Sequence, residues 1–221
     1  MKLLLDAVTK FVLGLISVCA LVFLPAGTLK YFNGWIFVSL LFVPMLAFGA
    51  VLFCKSPKLL EKRLNSKEQR KTQKGVAALC GIIFIGGFVT AGLDFRFGWS
   101  DVPLWCIIIA SLVLLISYAL YAEVMRENIY LSRTVVIQND QKVIDTGLYG
   151  LVRHPMYFST VFMFLSIPII LGSWLSLIFF GFYPIVISAR IKDEETLLKK
   201  ELNGYEEYTQ KVKYRLLPFI W

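Results

Sequence analysis

Between Phe158 and Ala189 the chain runs for 32 residues without a charged side chain, interrupted near its middle by Leu171-Gly172-Ser173. The glycine-serine break divides this stretch into two apolar helices. Two membrane-crossing helices joined by so short a turn return the chain to the face it left. The clusters at the two ends, Arg153-His154-Pro155-Met156-Tyr157 and Arg190-Ile191-Lys192-Asp193-Glu194-Glu195, are thereby brought to one membrane face. The chain's single histidine falls in the first cluster, opposite Arg190 and Glu194 in the second.

Four more runs extend the pattern: Phe11–Leu29, Tyr31–Cys54, Gly75–Leu93 and Val102–Ala122 are all free of charge. Each suits a helix of roughly 20 residues crossing a bilayer core of about 30 Å. Composition agrees, at 57% hydrophobic and 17% charged residues, against about 45–50% and about 25% in soluble domains. Backbone groups in lipid must bond within their own segment, so the spans are helices. The expected fold is an all-α integral membrane protein of five to six transmembrane helices. It carries a C-terminal helical hairpin and cytoplasmic cofactor-binding segments. The halves of the hairpin are shorter than the other spans, so either six crossings or five plus a shallower pair fits. Residues 1–121 read as a four-helix scaffold and 122–221 as the functional region, in one structural unit.

A net charge of +8 raises nucleic acid as a partner, but the distribution argues against it. With six spans and the N-terminus inside, the outside loops hold only Lys30 and Arg96 of the 23 lysines and arginines. That asymmetry obeys the positive-inside rule and places both termini in the cytoplasm. The basic loop from Lys55 to Lys74 then reads as a topology determinant beside anionic headgroups. Cys19, Cys54, Cys80 and Cys106 lie in or at the ends of spans without a CxxC pair, which fits apolar packing better than disulfides or zinc. The first apolar run exceeds a signal-peptide core and is expected to be retained as a span.

Within the first four spans, Ala77/Gly81 and Gly87/Ala91 offer small-xxx-small spacings for close helix approach. Pro25 and Pro44 are candidate kinks, and Trp35, Trp99, Trp105 and Trp221 sit near expected interfaces. Chemistry begins after Tyr121. From Glu123 to Arg153 the chain is polar, with Thr134-Val135-Val136-Ile137 and Lys142-Val143-Ile144 flanking a turn-prone Gln138-Asn139-Asp140. The pattern fits a short extended hairpin or a loop laid over the helices. Pro155 is placed to open a helix, whose free amides favour carboxylates or phosphates. After the hairpin, Ile191–Leu202 reads as a charged helix closed by Asn203-Gly204, and the tail Tyr214–Trp221 as an aromatic segment folded onto the interface. A lone interfacial histidine is commonly structural, and Arg190/Glu194 alone would read as a surface ion pair of little value. Convergence of the two clusters, and the scarcity of idle charge at membrane depth, favour a site instead.

The ordered set Thr146-Gly147-Leu148-Tyr149, Val152-Arg153-His154-Pro155-Met156-Tyr157, Arg190-x-x-x-Glu194-Glu195, Gly204-Tyr205-Glu206-Glu207-Tyr208 and Pro218 resembles the isoprenylcysteine carboxyl methyltransferase family, within a wider group of membrane phospholipid methyltransferases. The resemblance runs from about Val135 to Trp221. It implies a methyltransferase that uses S-adenosylmethionine. Carried over by position, it assigns cofactor contacts to Gln138, Gln141, Lys142, Val143, Ile144, Tyr149, His154, Pro155, Met156, Tyr157 and Glu194, and substrate positioning to Arg190. It implies no metal. The acceptor differs widely among relatives. A carboxylate on an isoprenylated or otherwise lipid-like molecule drawn from the bilayer is the first expectation, with membrane lipids as surroundings. A carboxylate needs no general base, whereas an amine acceptor would make His154 the first candidate. Two alternatives stand beside this reading: a sterol-type membrane reductase using NADPH, and a non-enzymatic membrane component. The absence of charge mid-span in the first four helices argues against transport.

Overall fold

The computed structural model describes residues 1–65, 70–132, 134, 137–138 and 140–221, with the backbone alone for Lys71. Each of the first four charge-free runs is covered by a long helix, to within three residues at the ends of the run. The helices are α1 (Lys2–Ala26), α2 (Phe32–Lys55), α3 (Pro57–Leu64), α4 (Lys71–Phe97), α5 (Leu104–Glu127), α6 (Pro155–Ile170), α7 (Trp174–Gly181), α8 (Tyr183–Glu201) and α9 (Tyr205–Lys211). A 3₁₀ turn, Gly147–Gly150, precedes α6. The described residues contain no strand. Of the two expectations for the stretch around Gln138, the described residues there form a loop and no extended hairpin; Val135, Val136 and Asn139 lie outside the described residues.

Among the described residues five helices are long and apolar enough to cross a membrane, the fifth being α7 and α8 taken together over Trp174–Glu201. Helix α6, at 16 residues, falls short of the roughly 20 a straight crossing needs. The late hairpin is thus asymmetric. Pro184 explains the break between α7 and α8, because it lacks the N–H that would continue the ladder through Phe182. Exposed Leu13, Ile16, Val43, Leu46, Ile108 and Leu112 face outward from α1, α2 and α5. Such apolar exterior suits lipid and no aqueous surface. The chain is a multi-pass membrane protein.

The core runs between α1, α2, α4, α5, α6 and α7, where Phe37, Leu114, Ile167, Ile170 and Phe180 are all but sealed from the exterior. Glycines permit the closest contacts, at places only partly foreseen. A Cβ at Gly87 would stand 2.4 Å from the Phe180 ring, and one at Gly92 would stand 2.6 Å from the Val22 carbonyl oxygen. Ala77 and Gly81, by contrast, face open space or the exterior. That first spacing marks no helix contact.

Two polar layers bracket the core. At one end, Tyr31 donates to the Leu171 carbonyl, and the buried Asp94 accepts from the Ser100 amide at 2.7 Å, from Ser100 Oγ at 2.6 Å and from Ser173 Oγ. These bonds tie α4 and the loop before α5 to the α6–α7 turn. Gly172 forms that turn at φ +75°, and a Cβ there would strike Asn33. At the opposite end, Lys10 donates to Leu64 O at 2.9 Å, and Arg63 reaches Tyr121 and Met156. The basic loop therefore packs against α5 and the start of α6.

Candidate functional site

Chain reversal at Gly172 does bring the two clusters together. His154 is the residue before α6, and Pro155 opens the helix at its first position. From the other arm, α8 presents Arg190, Glu194, Leu197 and Leu198 along one face, as spacings of three and four residues require. Between the arms lies an open-mouthed cavity, its lining drawn from both clusters.

The cavity has two characters. At its polar end, Arg190 Nε donates to Tyr157 Oη at 2.7 Å, and Tyr157 Oη donates to Glu194 Oε2 at 2.6 Å. A phenol on α6 thus bridges the α8 cation and anion, whose sequence spacing alone pointed to a simple pair. The other end is walled by Ile137, Val143, Leu198, Leu202, Tyr205 and Tyr208; the last three join Val212 in a separate apolar cluster, against which the first three pack.

Of the residues singled out in sequence, Gln141, Lys142, Val143, Ile144, Tyr149, His154, Pro155, Met156, Tyr157, Arg190 and Glu194 all line this cavity. Gln138 does not. Its side-chain oxygen accepts from Lys62, its amide nitrogen donates to Tyr130 O at 2.5 Å, and its backbone N–H donates to Gln141 Oε1 at 3.0 Å. It shapes the loop from outside the lining.

Glu127, at the end of α5, sets the turn that carries Tyr149. Its carboxylate accepts from the Leu148 amide at 3.1 Å, and Gly147 adopts φ +53° with no room for a Cβ against it. Tyr149 is then held from both sides: Asn128 donates to its hydroxyl at 2.9 Å, and Tyr208 donates to its carbonyl at 2.7 Å. Burial raises the pKa of the Tyr149 phenol above its ordinary value, which keeps it neutral.

Beneath the cavity, Glu195 is the hub of a buried charge knot. One of its oxygens accepts from Arg153 Nε at 2.6 Å and lies 3.3 Å from His154 Nε2; the other accepts from Arg215 Nε at 2.8 Å. Arg153 also donates to the carbonyls of Val212 and Lys213, and the Arg153 and His154 amides donate to Tyr214 O and Arg215 O. The tail does fold back, and it is locked to the start of α6 and to α8. His154 is only 5% exposed, with its ring stacked on Tyr157.

Sequence reasoning missed Asn128, Tyr130, Leu131 and Ser132, which reach the cavity from the end of α5, as well as Tyr205 and Tyr208 on α9. Leu197 and Leu198 were within reach, one turn beyond Glu194. Nothing in the spacing marked Asn128, because its contact with Tyr149 depends on how the loop closes.

Residues 106–200 match the isoprenylcysteine carboxyl methyltransferase (ICMT) family. The matched stretch is a little under half of the chain. It takes in α5, the site loop, the hairpin and nearly all of α8, the elements that build most of the cavity wall. The chain is also similar to the Delta(14)-sterol reductase TM7SF2 of Mus musculus, 26% identical over 91 residues, or 40% of this chain and 22% of the relative. The match thus spans about a fifth of that curated relative's length.

Proposed function

We propose that this protein is an S-adenosylmethionine-dependent membrane methyltransferase acting on a lipophilic acceptor, with a carboxylate as the first choice of methylated group. The observation that carries the reading is one cavity lined by both motif clusters of the segment that matches the ICMT family.

The residues present fit the cofactor. An adenosyl group linked to an amino acid has a flat apolar end and a charged end, and so does the cavity. Ile137, Val143, Leu198 and Leu202 offer the apolar wall for the purine, while Glu194 offers an acceptor for an ammonium or for ribose hydroxyls. Gln141 to Ile144, Tyr149 and His154 to Tyr157 complete the contacts the resemblance assigns. The bound cofactor supplies an electrophilic methyl group on a sulfonium. The chain's own part is to position the reactants and limit water, the main contribution open to an enzyme of this chemistry. The ring faces of Tyr149 and Tyr157 favour a neighbouring cation. Arg190, steadied by Tyr157, is the group to hold an acceptor carboxylate. In this reading His154 anchors the start of α6 against Glu195 and serves as the base only for an amine acceptor.

A second, smaller cavity supports a lipophilic acceptor. It is lined by Leu120, Leu148, Leu151, Val152, Pro155, Phe158 and Pro218, and it shares Pro155 with the first. A hydrocarbon chain held there would lie next to the polar end where the acceptor group is needed. Positive-inside logic puts this face in the cytoplasm, since the basic loop and the start of α1 share it.

The sterol reductase relative favours a second reading, a reductase using NADPH. Titration of the detergent-purified protein with S-adenosylhomocysteine and with NADPH separates the two. The methyltransferase reading predicts saturable binding of S-adenosylhomocysteine, weakened at least tenfold in Glu194→Ala and in Tyr149→Ala. NADPH binding without S-adenosylhomocysteine binding, or equal affinity in all three proteins, refutes it.

A further inference from the structure

The Tyr205 side chain lines the large cavity and is only 4% exposed. Its hydroxyl is buried and has no hydrogen-bond partner among the described residues. A desolvated hydroxyl with no acceptor opposes folding, so such groups are rare and call for an explanation. Its neighbours sharpen the contrast. Tyr208, one turn along α9, donates to Tyr149 O at 2.7 Å, and Tyr157 donates to Glu194. The nearby carboxylates are engaged elsewhere, Glu194 by Tyr157 and Glu195 by Arg153 and Arg215. Burial, then the charges of Glu195 and Glu194, hold the Tyr205 phenol above its ordinary pKa, so it stays a donor. A buried donor facing a ligand cavity, with no acceptor within hydrogen-bond distance among the described residues, calls for an acceptor brought by the ligand.

We infer that Tyr205 is a cofactor-contact residue whose hydroxyl donates a hydrogen bond to an acceptor atom of the bound S-adenosyl group. The inference rests on the methyltransferase reading and adds to the assigned contacts a residue from α9. The ligand class offers ring nitrogens, ribose oxygens and a carboxylate as acceptors. Binding would thereby satisfy a group that the unliganded fold leaves stranded.

Opposite signs in two measurements test this. Wild type, Tyr205→Phe and Tyr208→Phe are purified in detergent, titrated with S-adenosylhomocysteine and melted without ligand. For Tyr205→Phe, affinity should fall about five- to tenfold, the loss of one net hydrogen bond. Its unliganded melting temperature should hold or rise, because the removed hydroxyl had no partner. For Tyr208→Phe, the unliganded melting temperature should fall, since a satisfied bond is lost. Unchanged affinity in Tyr205→Phe, or a lower melting temperature, overturns the assignment alone. Failure of wild type to bind S-adenosylhomocysteine overturns the methyltransferase reading and this assignment with it.

Discussion

Glu195 shows how much of this site is decided one side chain at a time. Its neighbour Glu194 faces the cavity, whereas Glu195 points under it, 3% exposed, and gathers Arg153, His154 and Arg215. Removing one member of a buried ion pair leaves uncompensated charge and costs about 3–5 kcal/mol. An exposed pair costs about 0–1 kcal/mol. Glu195→Ala should therefore lower the thermal unfolding temperature sharply in detergent, while Glu123→Ala, which breaks the exposed pair with Arg126, should leave it nearly unchanged. Equal effects would mean that Glu195 does not hold the tail to α6 and α8. The sequence displayed the Glu194-Glu195 doublet without showing which member turns inward. A helix rotates 100° per residue, and the positions of Arg153, His154 and Arg215, all distant in sequence, distinguish the two.

At the scale of elements, helices were legible wherever the solvent imposes them. Charge-free runs marked α1, α2, α4 and α5, and Pro155 marked the start of α6, because lipid and the proline ring each leave one local solution. Contacts between helices were less legible. Gly87 was named from its spacing and packs on Phe180; Gly81 was named on the same ground and touches nothing. Spacing identifies a smooth helix face but not the helix opposite it. Gly92, which was not singled out, has the tightest constraint of this kind, because a Cβ there meets backbone that cannot swing aside. Gly92→Ala should lower thermal stability in detergent by forcing α4 away from α1, while Gly81→Ala should not. A stable Gly92→Ala protein would show that the α1–α4 approach is looser than described. The loop before the Gly147 turn was the hardest element to read. Its β-branched residues favour extension, but the described residues offer no strand to pair with, and Gln138 bonds to Tyr130 and Lys62 instead.

Across the whole molecule, one turn at Gly172 sets the distance between residues more than thirty positions apart. The Asp94 and Tyr31 bonds pin that turn at one end of the core, and the Glu195 knot pins the returning arm at the other. The cavity is what remains between the arms once both ends are fixed. Convergence of the two clusters was readable because a membrane allows the chain only two sides on which to emerge. The α9 wall was not, since the tail's return was expected only at the interface and nothing local says that Tyr205 and Tyr208 face the cavity. The most direct test is photo-crosslinking with radiolabelled S-adenosylmethionine, followed by peptide mapping. Label on both the Gln141–Tyr157 segment and the Arg190–Tyr208 segment, suppressed by S-adenosylhomocysteine, is the expected result. Label confined to one segment, or to the first four long helices, would contradict a cofactor held between the arms.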